Sequence, residues 1–384
     1  MKFFKLRVEK GVNSIGRKFI QVTIFTSVGK FKASVPSGTS KSKFEYKFDF
    51  KKEIRKLRKL GKELEGREFS KVEDIFSIEK KTKCLPLSLA ILKALAKEKK
   101  VQPWKLLELG EKLPIIISKI FGGGKHSVGL RKRPEFQEFL VFPEGLSVKK
   151  NVEVNKLVYK EALRSLKKHG YPFRIGLEGG LITKLSNEEV LNLLCNVVQK
   201  LSYKLGVKIN LGLDVAASSF WERGKYKYKR GYLDKDSQLK YMKFLIEEYD
   251  LKYVEDPFQQ EDFESFAKLR KFFNERVLIC GDDLLSTNVK RLRIARKKGA
   301  VNSCIVKPNQ CYSLLETLQF MKEAKKFKFL RTFSHRSLET PEKIFADLSV
   351  GCEMYKISVV TRERVLKLKR LMKIEEEIRS ERGE

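Results

Sequence analysis

This 384-residue chain has few histidines and no closely spaced cysteine pair. It holds three histidines. Its six cysteines (Cys84, Cys195, Cys280, Cys304, Cys311 and Cys352) form no C-x-x-C pair and stand near no histidine at zinc spacing. This excludes a zinc finger and a disulfide scaffold, and points to free thiols in a reducing compartment. No apolar run reaches the roughly 18 residues a membrane helix needs. The nearest, residues 85–96, is interrupted by Ser88 and Lys93. The opening M-K-F-F-K-L-R-V-E-K has neither an apolar core nor a small-residue cleavage site, so no secretory signal is expected and the chain reads as cytoplasmic. Acidic residues are scarce too: 48 Asp and Glu face 82 Lys and Arg, a net charge of +34. Such charge attracts polyanions. The lysines are nevertheless spread along the whole chain, as a preferred surface residue would be, and not gathered in one basic block.

What is present is a core-forming share of apolar residues and a regular alternation of elements. Residues 1–35 alternate as short strands with a turn at Gly29, the pattern of an antiparallel meander. Residues 48–100 are helical in period, and the apolar stretch 85–96 suits packing on that meander. These residues, 1–111, are expected to form a smaller α+β domain. From Pro114 onward an apolar run ends in a polar residue, a turn follows, and then an amphipathic helix. Seven such runs (175–178, 209–214, 253–255, 277–282, 303–307, 329–335 and 354–356), with an eighth strand at 136–141, predict a TIM-type parallel β/α barrel over 112–384. Strand C-termini converge at one face of such a barrel. That would gather Glu138, Glu178, Asp214, Glu255, Asp282, Lys307, His335 and Lys356 around one pocket.

Asp214, Glu255 and Asp282, from successive strand ends, offer hard carboxylate oxygens suited to Mg²⁺ before zinc. Lys307 closes the apolar run Cys304-Ile305-Val306. Beside a metal and a second lysine, Lys356, its charged form is expected to be disfavoured, fitting it as a base near neutral pH. Ser334-His335-Arg336-Ser337 supplies hydroxyl and guanidinium donors for a phosphate. His169, after two lysines on a helix, reads as a solvated bystander.

The order and spacing of Gln137-Glu138-Phe139, Glu178-Gly179-Gly180, Leu213-Asp214-Val215-Ala216-Ala217-Ser218, Val254-Glu255-Asp256-Pro257 and Gly281-Asp282-Asp283-Leu284 carry a resemblance. Lys307-Pro308-Asn309-Gln310, Ser334-His335-Arg336-Ser337 and Ile374-Glu375-Glu376-Glu377 continue it. The chain resembles the enolases (phosphopyruvate hydratases) over nearly its full length. The resemblance implies reversible dehydration of 2-phosphoglycerate to phosphoenolpyruvate with two Mg²⁺ ions, one conformational and one catalytic. It implies that Asp214, Glu255 and Asp282 hold the first ion, and that Ser40, in a mobile loop over 35–42, meets the second. Lys307 would remove the C2 proton, and Glu178 would expel the C3 hydroxyl with help from Glu138. Lys356 would bind the substrate carboxylate, His126 would close over it, and Arg336 and Ser337 would hold its phosphate beside His335. A homodimer is compatible with the family pattern.

The departures from that pattern are specific. Leu177 stands where the family has an aspartate before Glu178. Residues 14–19 have no arginine or proline at the positions where the family segment has them, Gln259-Gln260 partly neutralises an acidic stretch, and Ile357-Ser358 replaces a glycine-rich one. Much of the helical region before Leu85 is missing. Two alternatives follow: a related lyase acting on another phosphorylated acid, or an impaired enolase-like protein that binds nucleic acid. The second has local support in residues 221–230, W-E-R-G-K-Y-K-Y-K-R, which interleave aromatic and basic groups.

Overall fold

The computed structural model describes residues 1–36, 38, 42–124 and 133–383. Three antiparallel strands come first, β1 (Phe3–Val12), β2 (Lys18–Thr26) and β3 (Gly29–Ser34), in spatial order β1-β2-β3. Their alternation buries Phe3, Val8, Ile20, Val22, Ile24 and Ala33 on one face. Three helices follow, α1 (Phe50–Glu63), α2 (Val72–Glu79) and α3 (Leu85–Glu98), then a single turn, α4 (Pro103–Leu106). Helix α3 is apolar nearly all round and is accordingly buried, lying against β2 and β3.

From Ile115 the chain alternates strands and helices. In order these are β4 (Ile115–Gly122), β5 (Glu138–Pro143), α5 (Val148–Lys168), the hairpin β6 (Phe173–Ile175) and β7 (Leu181–Thr183), and α6 (Asn187–Leu205). Then come β8 (Ile209–Asp214), a small sheet of β9 (Trp221–Glu222), β10 (Lys225–Tyr228) and β11 (Gly231–Leu233), and α7 (Lys235–Glu248). Five plain repeats complete the chain. They are β12 (Tyr253–Glu255) with α8 (Phe263–Phe273), β13 (Leu278–Gly281) with α9 (Val289–Lys298), and β14 (Ser303–Val306) with α10 (Pro308–Cys311) and α11 (Leu314–Lys326). The last two are β15 (Leu330–Ser334) with α12 (Ile344–Ser349), and β16 (Met354–Lys356) with α13 (Arg362–Arg382).

Eight strands close a barrel in the order β4-β5-β8-β12-β13-β14-β15-β16, with β16 returning to β4 through Met354 opposite Ile115. Two expectations need correction. The run at 175–178 is not a barrel strand: β6 folds back on β7, and this hairpin hangs on β4 where Phe121 meets Leu181. Gly176 and the Gly179-Gly180 pair end the run after three residues. The barrel strand in its place is β4. Nor is the barrel wholly parallel, because β5 runs antiparallel to both β4 and β8. The consequence is useful: the first residue of β5, Glu138, lies on the same rim as the last residues of its neighbours, directly opposite Asp214.

Ile117, Leu140, Phe142, Tyr253, Cys280, Ile305 and Met354 form a separate cluster that plugs the barrel. Inward positions repeat every two residues along a strand. One step toward the rim from that plug therefore stand Lys119, Glu138, Glu255, Asp282, Lys307 and Lys356. The plug closes the interior and leaves the chemistry at the rim.

Candidate active site

The rim is a dense array of charges, and the short polar strand ends set where each one stands. Lys356, at the end of β16, donates to Asp214 Oδ2 and Glu255 Oε2, each at 2.7 Å, and lies 3.0 Å from Glu138 Oε2. Lys307, just past β14, donates to Asp282 Oδ2, whose other oxygen accepts from Gln310 at 2.8 Å. Asp256 adopts φ +43 immediately after Glu255 and accepts from the backbone N–H groups of Asp282 at 3.0 Å and Asp283 at 2.6 Å. That left-handed turn ties the loop after β12 to the loop after β13 and fixes the angle between their two carboxylates.

The C-terminal helix holds the other side. Arg364, buried on α13, donates through Nε to His335 Nδ1 at 2.6 Å and through Nη2 to the carbonyl oxygens of Arg336 at 3.0 Å and Ser337 at 3.3 Å. An imidazole that accepts at Nδ1 carries its proton on Nε2. Burial, then the adjacent Arg364 charge, hold the His335 pKa well below the ordinary histidine value, so the ring is neutral. Arg336 pairs with Glu45 at 3.0 Å, a contact from the N-terminal residues to the barrel rim. Nearby, Ser42 Oγ lies 2.7 Å from Gln260 Oε1 and 3.2 Å from the Asp283 carbonyl.

The electrostatics divide by cause. Burial, then the neighbouring Asp214 charge, push the Glu255 carboxyl up to about 8. Burial opposes the Lys307 ammonium, yet the Asp282 carboxylate beside it prevails and raises its pKa above the ordinary lysine value. A carboxylate, Asp282, is thus the nearest charged neighbour of Lys307. Lys356 is raised further, since burial is outweighed by Asp214, Glu138 and Glu255 together. Among the described residues two groups bring ligand atoms within 4.8 Å of one another, Asp256–Asp282–Asp283 and Glu138–Glu178–His335. The first, together with Asp214 and Glu255, makes an acidic centre able to hold a cation. The second already has one of its own, the ammonium of Lys119, which donates to Glu178 Oε2 and to Glu138 Oε1 at 3.3 Å.

Residues 111–383 match the family model described as the enolase C-terminal TIM barrel domain. The chain is 32% identical to the enolase of Methanothermobacter thermautotrophicus over 403 residues, which cover 97% of this chain and 96% of that one. The chain belongs to the enolase family. It is also 31% identical to the enolase of Natronomonas pharaonis over 393 residues, 97% of this chain and 98% of that one. Identity to the Pyrobaculum aerophilum enolase rises to 40% over 274 residues, 68% of this chain and 64% of that protein. The family is one of lyases.

Within this enolase frame, the structure brings Glu138, Glu178, Asp214, Glu255, Asp282, Lys307, His335, Arg336, Ser337 and Lys356 to one rim, all of them buried. Ser40 and His126 lie outside the described residues, as do residues 37, 39 and 41 of the expected loop. His169 is exposed, with Nδ1 2.9 Å from the Ser165 carbonyl at the end of α5. Three residues of the site carried no signal in the sequence: Lys119, Glu45 and Arg364. The run at 221–230 takes a packing role. Tyr226 is buried against Trp221, with ring centroids 4.5 Å apart, and its hydroxyl accepts from the Gln259 N–H. Tyr228 packs on Phe220 and Tyr241. These aromatics hold β9–β11 in place, where a stacking platform would need their faces open.

Proposed function

We infer that the chain catalyses the reversible dehydration of 2-phosphoglycerate to phosphoenolpyruvate with Mg²⁺, in the cytoplasm, as a step of glycolysis and gluconeogenesis. The observation that carries this reading is the meeting of acid trio, lysines and the His335–Ser337 donors on one barrel rim in a member of the enolase family. A divalent cation suits the donor set. Six buried acids at the rim (Glu138, Glu178, Asp214, Glu255, Asp256 and Asp282) face four buried cations (Lys119, Lys307, Arg336 and Lys356), and buried Glu255 Oε1 has no hydrogen-bond partner. Asp214, Glu255 and Asp282 would hold the first Mg²⁺, and Ser40 would contribute to the second. Bound there, magnesium supplies positive charge where negative charge develops on the substrate carboxylate.

Lys307 takes the proton from C2, and Glu178, assisted by Glu138, gives a proton to the departing C3 hydroxyl. Lys356 neutralises the substrate carboxylate. Arg336 and Ser337 take the phosphate, and neutral His335 offers its Nε2–H to the bound molecule. His126 closes over it. The purified chain with Mg²⁺ is expected to form phosphoenolpyruvate from 2-phosphoglycerate, and Lys307→Ala to abolish turnover while leaving the unfolding transition in place. A wild-type protein without turnover would sink this reading.

A further inference from the structure

Strand β4 sends a lysine into the barrel beside the carboxylates of its neighbours. Lys119 is 3% exposed and follows Ile117 of the inner plug by two residues, so both side chains point inward. Its ammonium bridges Glu138 and Glu178, as described above. The path of the side chain is reserved for it. A Cβ added at Gly180 would lie 2.8 Å from Lys119 Cε and 3.1 Å from Cγ, so the second glycine after Glu178 makes room for the lysine. The first, Gly179, turns at φ +86 and is pinned through its carbonyl by the Tyr159 hydroxyl at 2.9 Å. Burial disfavours the ammonium, but Glu138 and then Glu178 reverse this and raise its pKa. Leu177 puts no second carboxylate beside Glu178, and the Lys119 ammonium donates to its Oε2.

We propose that Lys119 is a positioning residue for the elimination half of the reaction: it aims the Glu178 carboxyl at the C3 hydroxyl and balances the carboxylate that Glu178 becomes on giving up its proton. The inference rests on the dehydration reading. In that half the C3–O bond breaks with its electron pair on oxygen, and Glu178 supplies the proton that completes water. The pair left at C2 forms the C2–C3 double bond. Removal of the C2 proton comes earlier and belongs to Lys307, three strands from β4 around the barrel. The two halves are separately readable, because exchange of the C2 hydrogen with D₂O reports the first and phosphoenolpyruvate formation requires both.

Lys119→Met, Lys119→Arg and Gly180→Ala in the full chain with Mg²⁺ and 2-phosphoglycerate provide the test. Lys119→Met is expected to lower kcat for phosphoenolpyruvate on the order of 10²-fold, with KM little changed and C2 exchange retained. The limb of its pH–rate profile that reports Glu178 should move to higher pH, since the neighbouring cation is gone. Lys119→Arg should restore much of the rate, and Gly180→Ala, which crowds the lysine, should show the same split more weakly. Equal loss of exchange and product formation in a folded Lys119→Met protein, or wild-type kcat and pH profile, overturns the inference. Should that variant fail to fold, an unchanged rate and profile in Gly180→Ala overturns it equally. Absence of turnover in the wild type refutes the dehydration reading itself, and is seen before any variant is made.

Discussion

Arg364 is among the largest fully buried side chains of the protein, and an Arg364→Met substitution keeps much of its length while removing every donor. The hydrogen bonds it would break run to His335 Nδ1 at 2.6 Å, to the carbonyls of Arg336 at 3.0 Å and Ser337 at 3.3 Å, and to Thr361 Oγ1 at 3.1 Å. A buried acceptor deprived of its donor costs about 1–3 kcal/mol. Two carbonyls and one imidazole nitrogen are left in that state, a gross cost of roughly 3–9 kcal/mol. Costs inside one network overlap, so the lower part of that range, about 3 kcal/mol, is expected. The same hydrogen bonds hold the backbone from His335 to Ser337. Without them the donors proposed for the phosphate shift, and kcat/KM should fall on the order of 10²-fold. Urea unfolding followed by circular dichroism reads the first quantity, and steady-state formation of phosphoenolpyruvate the second. Arg364→Lys, which keeps the charge without the fork, should fall between. An Arg364→Met protein within about 0.5 kcal/mol of wild type, the range of an ordinary surface substitution, and with unchanged kcat/KM would refute this account of the rim.

Mg²⁺ should stabilise the folded chain by about 2.7 kcal/mol at a hundredfold excess over Kd, raising the unfolding temperature, and chelation should reverse the shift. Asp214→Asn should erase that response in a thermal melt, and a persisting response would remove Asp214 from the ligand set. Glu79, the last residue of α2, accepts from Ser88 Oγ at 2.6 Å, Ser313 Oγ at 2.7 Å, Leu314 N at 2.9 Å and Leu315 N at 2.7 Å, so it caps α11 of the barrel. Glu79→Ala should cost about 2–4 kcal/mol in chemical denaturation, with Glu79→Gln recovering part. His335 is neutral when folded but titrates near 6.5 once unfolded, so the unfolded chain binds the extra proton as pH falls below that value. Its contribution is complete above about pH 6.5 and lost on acidification, with a slope of up to about 1.4 kcal/mol per pH unit. Urea midpoints across this range should show a flatter acid limb in His335→Asn.

The barrel was legible wherever a strand ended cleanly. Runs such as Tyr253-Val254-Glu255 and Cys304-Ile305-Val306-Lys307 place apolar residues before one charge and a turn, and the structure puts these charges on the rim. The reading failed at Ile175-Gly176-Leu177-Glu178, which has the same outline. What separates it is the pair Gly179-Gly180, which lets the chain reverse within a few residues, and the hairpin partner Leu181–Thr183. The direction of β5 was illegible for a different reason. Phe139 to Phe142 are buried whichever way the strand runs, so no face pattern marks it as antiparallel.

Lys119 was hidden by composition. Among 82 cations one more lysine carries no mark, and only the inward register of Ile117 shows that this one is not on the surface. The wider point concerns where each sign of charge goes. Fourteen acids and seven cations are buried among the described residues, although cations dominate the chain. The scarce carboxylates are concentrated inside, where they cap helices, as Glu79 and Glu375 do, tie α13 to the loop after β1 through Glu363 and Ser14, and crowd the barrel rim. The net charge of +34 is therefore a property of the exterior, carried by solvated side chains. The interior has the opposite balance. A rim with more acid than base, set in a basic protein, holds its lysines by ion pairing, and that is why Lys119, Lys307 and Lys356 can all be buried within one site.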